Sequence, residues 1–432
     1  MGQGGPVVVE IAPSGPLEGV VRLPGDKSIS HRYAILAALA DGATQIRNFS
    51  SGADCASTLA ALGKLGITVE REASQVTIAG GGLEGLRAPE EMIDAGNSGS
   101  TIRMLSGVLA AQDFRSRIGG DASLSRRPMD RIIRPLTEMG AVIHAREGRF
   151  PPLEIEGRPL RPITYSLPVA SAQVKTCVLL AGLFARGRTT VIEPVPTRDH
   201  TEIALRQFGA AIEVEGSHIR VEGPARLRPG EFWVPGDLSS AAFFLVAAAL
   251  VPKSHIRLER LGLNPRRAAL LDFLAGMGAR IRLLGLEQAH GEVVGDLEVE
   301  HSPIRGGRIE GPLTAALIDE IPVLAVLGAA SSEGLEVRDA AELRVKETDR
   351  IASVAENLRR MGVRIETRDD GFFVPGGQQF NEADLDSFGD HRIAMAFAVA
   401  SLAARGPCRI LNAEAASVSY PEFFDTLQSL RS

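Results

Sequence analysis

Six segments of the chain are apolar on nearly every side: 33–40, 101–111, 174–185, 239–251, 321–330 and 393–404. A helix without a polar face has to be buried. A second pattern recurs between these segments: an apolar residue, two others, an apolar residue, then Gly. It stands at Leu62–Gly66, Leu136–Gly140, Leu205–Gly209, Leu274–Gly278 and Leu358–Gly362, a repeat of roughly 70 residues. Each Gly reads as the residue just past a helix C-terminus, where a left-handed backbone is cheap. Alternating apolar and polar positions follow at 67–70, 211–215, 280–283 and 364–367, which predicts strands. Each unit therefore reads helix, strand, amphipathic helix, strand, strand. The fold class is α/β of the α+β kind, with sheets packed on helices and the apolar helices innermost.

The sixth unit is short. It has the segment 392–404, a strand Cys408–Leu411 and a last helix at 421–430, and lacks two strands. The N-terminus has two to spare, Val7–Ile11 and Gly19–Leu23. These are expected to complete the last unit, the alternative being pairing with the first. Three repeats would form one domain, 24–238. Three would form the other, 1–23 plus 239–432. The chain would cross near Pro24 and Pro235-Gly236, which would serve as the hinge.

Length and charge narrow the partners. The 432 residues allow two or three domains, and 44% are hydrophobic. A net charge of -6 argues against nucleic acid as partner. The three cysteines, Cys55, Cys177 and Cys408, are scattered in or beside apolar segments, which fits a reducing compartment and neither a disulfide framework nor a metal site. Residues 1–6 lack the basic and apolar regions of a signal peptide, and position 6 lacks the hydroxyl of a myristoylation signal. The apolar run Ala241–Pro252 is shorter than the ~20 residues of a membrane helix. A cytoplasmic monomer with no membrane partner is expected.

Polar residues open each buried helix. They are Lys27, Ser28 and Arg32; Asn97, Ser98, Gly99, Ser100, Thr101 and Arg103; Ser171, Ala172 and Gln173; Asp237, Ser239 and Ser240; Asp319 and Glu320; and Asp390, His391 and Arg392. A helix start offers free N–H groups and a dipole worth a few tenths to ~1 kcal/mol to an anion. One such start is only a cap. Six in register, with Arg32, Arg103 and Arg392 just inside, exceed what capping needs, and would face a cleft between the domains. Lysine usage sharpens this. Only five Lys accompany 42 Arg, and two of the five, Lys27 and Lys346, lie in these charged segments. Arg127, Arg198 and Arg350 lie in further ones. Guanidinium clamps suit carboxylate and phosphate. The substrates should be small, carry several anionic groups, and bind between the two domains.

Gly25-Asp-Lys-Ser-Ile-Ser-His-Arg32, Gly96-Asn-Ser-Gly-Ser-Thr-Ile-Arg103, Arg344-Val-Lys-Glu-Thr-Asp-Arg350 and Gly389-Asp-His-Arg392 closely resemble the 5-enolpyruvylshikimate-3-phosphate synthase family. The resemblance runs in order from about residue 7 to 430. It implies the two-domain enolpyruvyl transferase fold, six βαβαββ repeats, three per domain. It also implies transfer of the enolpyruvyl group of phosphoenolpyruvate to the 5-hydroxyl of shikimate 3-phosphate, with no metal or organic cofactor. By resemblance, Lys27, Ser28, Arg32, Ser171, Ala172, Gln173, Arg198, Asp319 and Lys346 bind shikimate 3-phosphate. Lys27, Asn97, Gly99, Arg103, Arg127, Gln173, Glu347, Arg350, His391 and Arg392 bind phosphoenolpyruvate. Asp319 takes the hydroxyl proton, and Glu347, with Lys27, protonates the methylene. The resemblance also implies inhibition by glyphosate in the phosphoenolpyruvate site, with Gly99 leaving it room.

Departures are few. Ser100 stands where the family often has Thr, and Val418 where it can have Lys. The related UDP-N-acetylglucosamine enolpyruvyl transferase carries a Cys in the loop corresponding to 119–126, and here there is none. An RNA 3′-terminal phosphate cyclase would need an ATP site and a nucleophilic His. A non-catalytic repeat protein would not need Lys27, Asp319 and Glu347 together. Asp54 reads as a helix N-cap, Arg126 as solvated, His391 as structural, and His144, His218, His255, His290 and His301 as packing or surface residues without partners.

Overall fold

A computed structural model describes residues 7–431; the reading of residues 1–6 lies outside them. Residues 24–234 with 289–292 form one compact unit, and residues 7–23, 235–288 and 293–431 form the other. Each has its own hydrophobic core. Among the described residues no helix is long and apolar enough to cross a membrane.

The six apolar segments are the helices Lys27–Leu39, Gly99–Leu109, Ala172–Gly182, Leu238–Leu250, Ile321–Ala330 and His391–Leu402. Their bodies are buried on all sides. Close packing needs small residues: a Cβ on Gly107 would stand 2.2 Å from the Cys177 carbonyl oxygen, so Gly99–Leu109 can lie against Ala172–Gly182 only with Gly there. The five marker glycines, Gly66, Gly140, Gly209, Gly278 and Gly362, all have positive φ, as residues that stop a helix do.

Each repeat builds one small mixed sheet. In the first unit the sheets are Glu231–Trp233, Asp41–Arg47, Gln75–Gly81, Thr68–Glu72; then Ile93–Asp94, Arg115–Gly119, Phe150–Glu156, Val142–Arg146; then Thr164–Ser166, Gly187–Ile192, His218–Gly223, Ile212–Glu215. In the second they are Glu18–Arg22, His255–Gly262, Glu292–Glu300, Arg280–Ala289; then Gly306–Ile309, Gly334–Val337, Gly371–Val374, Glu366–Arg368; then Asp384–Asp386, Cys408–Leu411, Val8–Ile11.

This corrects one expectation. Only Val8–Ile11 completes the sixth repeat, antiparallel to Cys408–Leu411. Glu18–Arg22 instead runs parallel to His255–Gly262 in the fourth. Its counterpart Glu231–Trp233, at the end of the third repeat, runs parallel to Asp41–Arg47 in the first. The last sheet keeps three strands. The two exchanged strands close sheets in different units, so the crossings at 23/24 and 234/235 fall directly after them.

Candidate active site

Five of the six buried helices are capped at their starts by a side chain of their own. Asp26, Ser98, Ser171, Asp237 and Asp390 accept hydrogen bonds from backbone N–H groups of the first turn, satisfying donors that would otherwise lack partners. Glu320 makes no such bond; Pro322 removes one donor, and the Glu320 carboxylate turns to Ser239 Oγ (2.6 Å) and Arg392 (3.4 Å).

In the first unit, Lys27 opens its helix and pairs with Asp54 at 2.9 Å. The N-cap of helix Ala53–Lys64 is Gly52; Asp54 sits inside the first turn because its carboxylate serves Lys27. Arg103 donates to Gln173 Oε1 (2.7 Å), and Gln173 Nε2 donates to Ser100 Oγ (2.9 Å). A Ser hydroxyl is enough for that bond, so the methyl of the family's Thr is not needed. Arg127, 6% exposed, donates to the Asn97 carbonyl (3.1 Å), Asn97 Oδ1 (2.5 Å) and Ser123 Oγ (3.1 Å); Asn97 Nδ2 is fixed in turn by Asp121 (2.7 Å). Arg126 beside it is exposed. The two guanidinium groups converge on one point: an ideal Cβ at Gly99 would lie 2.8 Å from an Arg103 nitrogen and 3.5 Å from an Arg127 nitrogen. Two cations and a helix N-terminus thus share one spot, an arrangement suited to an anion.

Arg32 is 3% exposed. It donates to the Ser28 carbonyl (2.7 Å), Thr201 Oγ1 (2.7 Å) and Thr176 Oγ1 (2.8 Å), so three of its five N–H bonds are spent on the protein. Burial brings its guanidinium down to about 10, against the pull of Glu202, Asp26 and Glu292; it remains a cation at neutral pH. His31 is buried, bonded to Thr58 Oγ1 (2.7 Å), and Thr58 continues to Thr101 (2.7 Å) and on to Ser98 (2.8 Å). Burial, then Lys27 and Arg32, push His31 well below the ordinary imidazole range. Ser28, Ser171, Ala172 and Gln173 lie at helix starts, half-buried, and Arg198 is half-buried in the segment before helix His200–Gln207.

The second unit gathers carboxylates instead. Arg350, 1% exposed, meets Glu347 Oε2 at 2.6 Å, Asp390 Oδ2 at 2.8 Å and Asp319 Oδ1 at 3.5 Å. Burial alone would lower its guanidinium, but Asp390, then Glu347 and Asp319, drive it well above its usual value. Lys346 faces Asp319 from 3.5 Å. Arg392 donates to the Asp319 carbonyl at 2.9 Å, and Asp390 Oδ1 accepts from the Arg392 N–H. His391 is buried, with Nδ1 3.9 Å from Asp390.

A family model described as EPSP synthase (3-phosphoshikimate 1-carboxyvinyltransferase) matches residues 11–427. The chain belongs to the EPSP synthase family. It is 61% identical, over 97% of its own length and 99% of the relative's, to the 3-phosphoshikimate 1-carboxyvinyltransferase of Solibacter usitatus, and 52% identical to that of Koribacter versatilis over 98% and 99%. Among solved structures, EPSP synthase from Acinetobacter baumannii has 40% identity and a TM-score of 0.87 over 98% of both chains. The enolpyruvyl transferase NikO from Streptomyces tendae shares the fold, with 20% identity and a TM-score of 0.77 over 99% of this chain and 98% of its own. The chain is thus a transferase of the shikimate pathway.

For an EPSP synthase, the sequence pattern missed several residues. Thr58, Thr176 and Arg267 carry no motif of their own, and Asp54 reads only as a cap. Arg267 meets Asp237 at 3.3 Å and also bonds Ser239, so it braces a helix start from outside it. Some histidines read as partnerless have partners: His301 Nδ1 bonds the Ala249 carbonyl (2.8 Å), and the His290 ring lies edge-on to Phe232. The three cysteines are buried free thiols. Burial pushes all three up, out of the range of a reactive thiolate.

Proposed function

We propose that this EPSP synthase joins phosphoenolpyruvate to the 5-hydroxyl of shikimate 3-phosphate through the charged residues of its two units. The observation that carries the assignment is the carboxylate pair on Arg350. Asp319 and Glu347 are held by different nitrogens of one buried guanidinium. Addition across a double bond needs a base for the nucleophile and an acid for the carbon, and elimination reverses both.

In the addition step the 5-hydroxyl oxygen attacks C2 of phosphoenolpyruvate. Its proton passes to Asp319, while C3 takes a proton from Glu347 or Lys27. The resulting tetrahedral adduct then loses a proton from C3 and expels phosphate, which restores the double bond. Arg103 and Arg127, converging at Gly99, hold the phosphoenolpyruvate anion with Asn97, Gln173, Lys27, His391, Arg392 and Arg350. Lys27, Ser28, Arg198, Lys346, Ser171, Ala172 and Gln173 hold shikimate 3-phosphate, with Arg32 contributing charge and its two remaining N–H bonds. The enzyme works as a cytoplasmic monomer on these small anions alone; a net charge of -6 disfavours polyanionic partners.

A steady-state assay of phosphate release tests the reading. Release from phosphoenolpyruvate should require shikimate 3-phosphate. Release with UDP-N-acetylglucosamine in its place would overturn the assignment.

A further inference from the structure

The segment 193–202 carries Arg198 and has no regular structure until helix His200–Gln207 begins. Buried side chains pin it instead. Glu193 and Glu202 share the Lys175 ammonium at 2.9 and 2.7 Å, and all three are at most 3% exposed. Thr197 donates to Glu193. Thr201 receives Arg32 Nε and bonds Thr176 Oγ1 at 2.6 Å. A further fixed point is His200, whose Nδ1 lies 2.7 Å from Glu292 Oε1, both side chains 2% exposed.

Glu292 is the odd member. The other anchors named above come from residues 24–234. Glu292 arrives on the tip of a hairpin whose strands, Arg280–Ala289 and Glu292–Glu300, otherwise belong to the second unit. The tip's His290 ring lies edge-on to Phe232 of the first unit's core, but the tip buries no aliphatic side chain there. Burying a carboxylate is costly unless its partner is well placed, so packing alone does not account for this one. A carboxylate accepts only, so Nδ1 carries the proton, and His200 Nε2 has no hydrogen-bond partner among the described residues. The ring is thereby held in one tautomer and one orientation, at the first residue of its helix and two residues from Arg198.

We propose that Glu292 is a positioning residue for shikimate-3-phosphate binding, acting through His200 on the segment that carries Arg198. This rests on the reading of Arg198 as a shikimate-3-phosphate ligand. Removing Glu292 frees the His200 ring and blurs the placement of Arg198, and small misplacements at a charged site are expensive.

Steady-state kinetics and calorimetry with shikimate 3-phosphate test the proposal on the full-length enzyme. Glu292→Ala should raise the KM and Kd for shikimate 3-phosphate about tenfold, with kcat and the KM for phosphoenolpyruvate, measured at saturating shikimate 3-phosphate, nearly unchanged. Glu292→Gln, whose amide oxygen still accepts from Nδ1, should restore most of the affinity. His200→Ala should match Glu292→Ala, and the double variant should be no worse than either. Normal shikimate-3-phosphate binding by Glu292→Ala, with only a lowered Tm, would overturn the proposal. If Glu292→Ala does not fold, Glu292→Asp carries the same test: a raised KM at unchanged kcat supports the role, an unchanged KM removes it. Arg198→Ala separates the two failures. If it binds shikimate 3-phosphate normally, the reading of Arg198 is wrong and the positioning role falls with it. If it binds weakly while Glu292→Ala binds normally, only the positioning role is wrong.

Discussion

The two units hold their arginines differently. In the first, the hydrogen bonds described for Arg32, Arg103 and Arg127 go to neutral acceptors: carbonyl oxygens, threonine and serine hydroxyls and the side chains of Asn97 and Gln173. In the second, Arg350 sits among three carboxylates and Arg392 touches a fourth. Neutral acceptors orient a guanidinium and leave its charge for a ligand. Carboxylates spend that charge, and in return are themselves held in place. On the proposed reading, the first unit supplies mainly anion clamps beside Lys27, and the second the carboxylates that move protons beside further clamps.

The largest effect should come from the second unit's carboxylates. Asp319→Ala should lower turnover by ~10²–10⁴, while shikimate-3-phosphate affinity by calorimetry changes far less. Collapsed binding with turnover of bound substrate intact would reverse the roles given to the two units. Next comes stability. Arg350→Met removes a guanidinium 1% exposed from Asp390, which is fully buried, and from Glu347 and Asp319, which should cost about 3–5 kcal/mol in chemical denaturation. Arg103→Met breaks bonds to neutral groups at a half-buried position and should cost less than about 2 kcal/mol. Equal losses would erase the contrast.

A smaller effect should appear at Gly99. A methyl there meets the movable end of Arg103 rather than backbone, so Gly99→Ala should fold normally. The longer inhibitor glyphosate should lose more than about tenfold in affinity, and phosphoenolpyruvate much less, because a pocket rejects by what it excludes. Inhibition and KM measurements on the variant decide it; parallel losses would mean that Gly99 does not shape the pocket. The smallest effect concerns pH. Folded His31 resists protonation, whereas the unfolded chain takes up a proton near pH 6.5. Its stabilising contribution is present above that value and is lost as pH falls below it, by at most about 1.4 kcal/mol per pH unit. His31→Gln should flatten the fall of denaturation midpoint between pH 6.5 and 5; an unchanged slope would refute this.

The buried helices and the glycines that end their neighbours were legible because both signals are local. An all-apolar stretch such as Ala241–Val251 has one physical outcome. Strand partners were not. Leu23 and Val234 are each followed by Pro-Gly-Asp, at 24–26 and 235–237, so nothing nearby says which sheet receives Glu18–Arg22 and which Glu231–Trp233. The helix starts announced Lys27, Arg103, Asp319 and Arg392 by a polarity out of keeping with the apolar helix bodies behind them. Thr58 and Arg267 gave no such sign, since a single hydroxyl or guanidinium among mixed neighbours looks like surface, and Thr176 gave none because a hydroxyl inside a buried helix can bond its own backbone, as it does to the Ala172 carbonyl.

The pairing of Val8–Ile11 with Cys408–Leu411 sets a timetable for synthesis. The ribosome makes that strand, and Glu18–Arg22 after it, before any of residues 24–234. Yet Glu18–Arg22 has no neighbour until His255–Gly262 is made, and Val8–Ile11 waits almost to the end. The first unit's own sheets can close meanwhile, since all their strands lie within 41–233, in keeping with domains that fold as they emerge. A nascent chain therefore carries both strands unpaired until residue 262 is made, and Val8–Ile11 alone until residue 411, a window in which a holdase or a stray sheet edge competes for them.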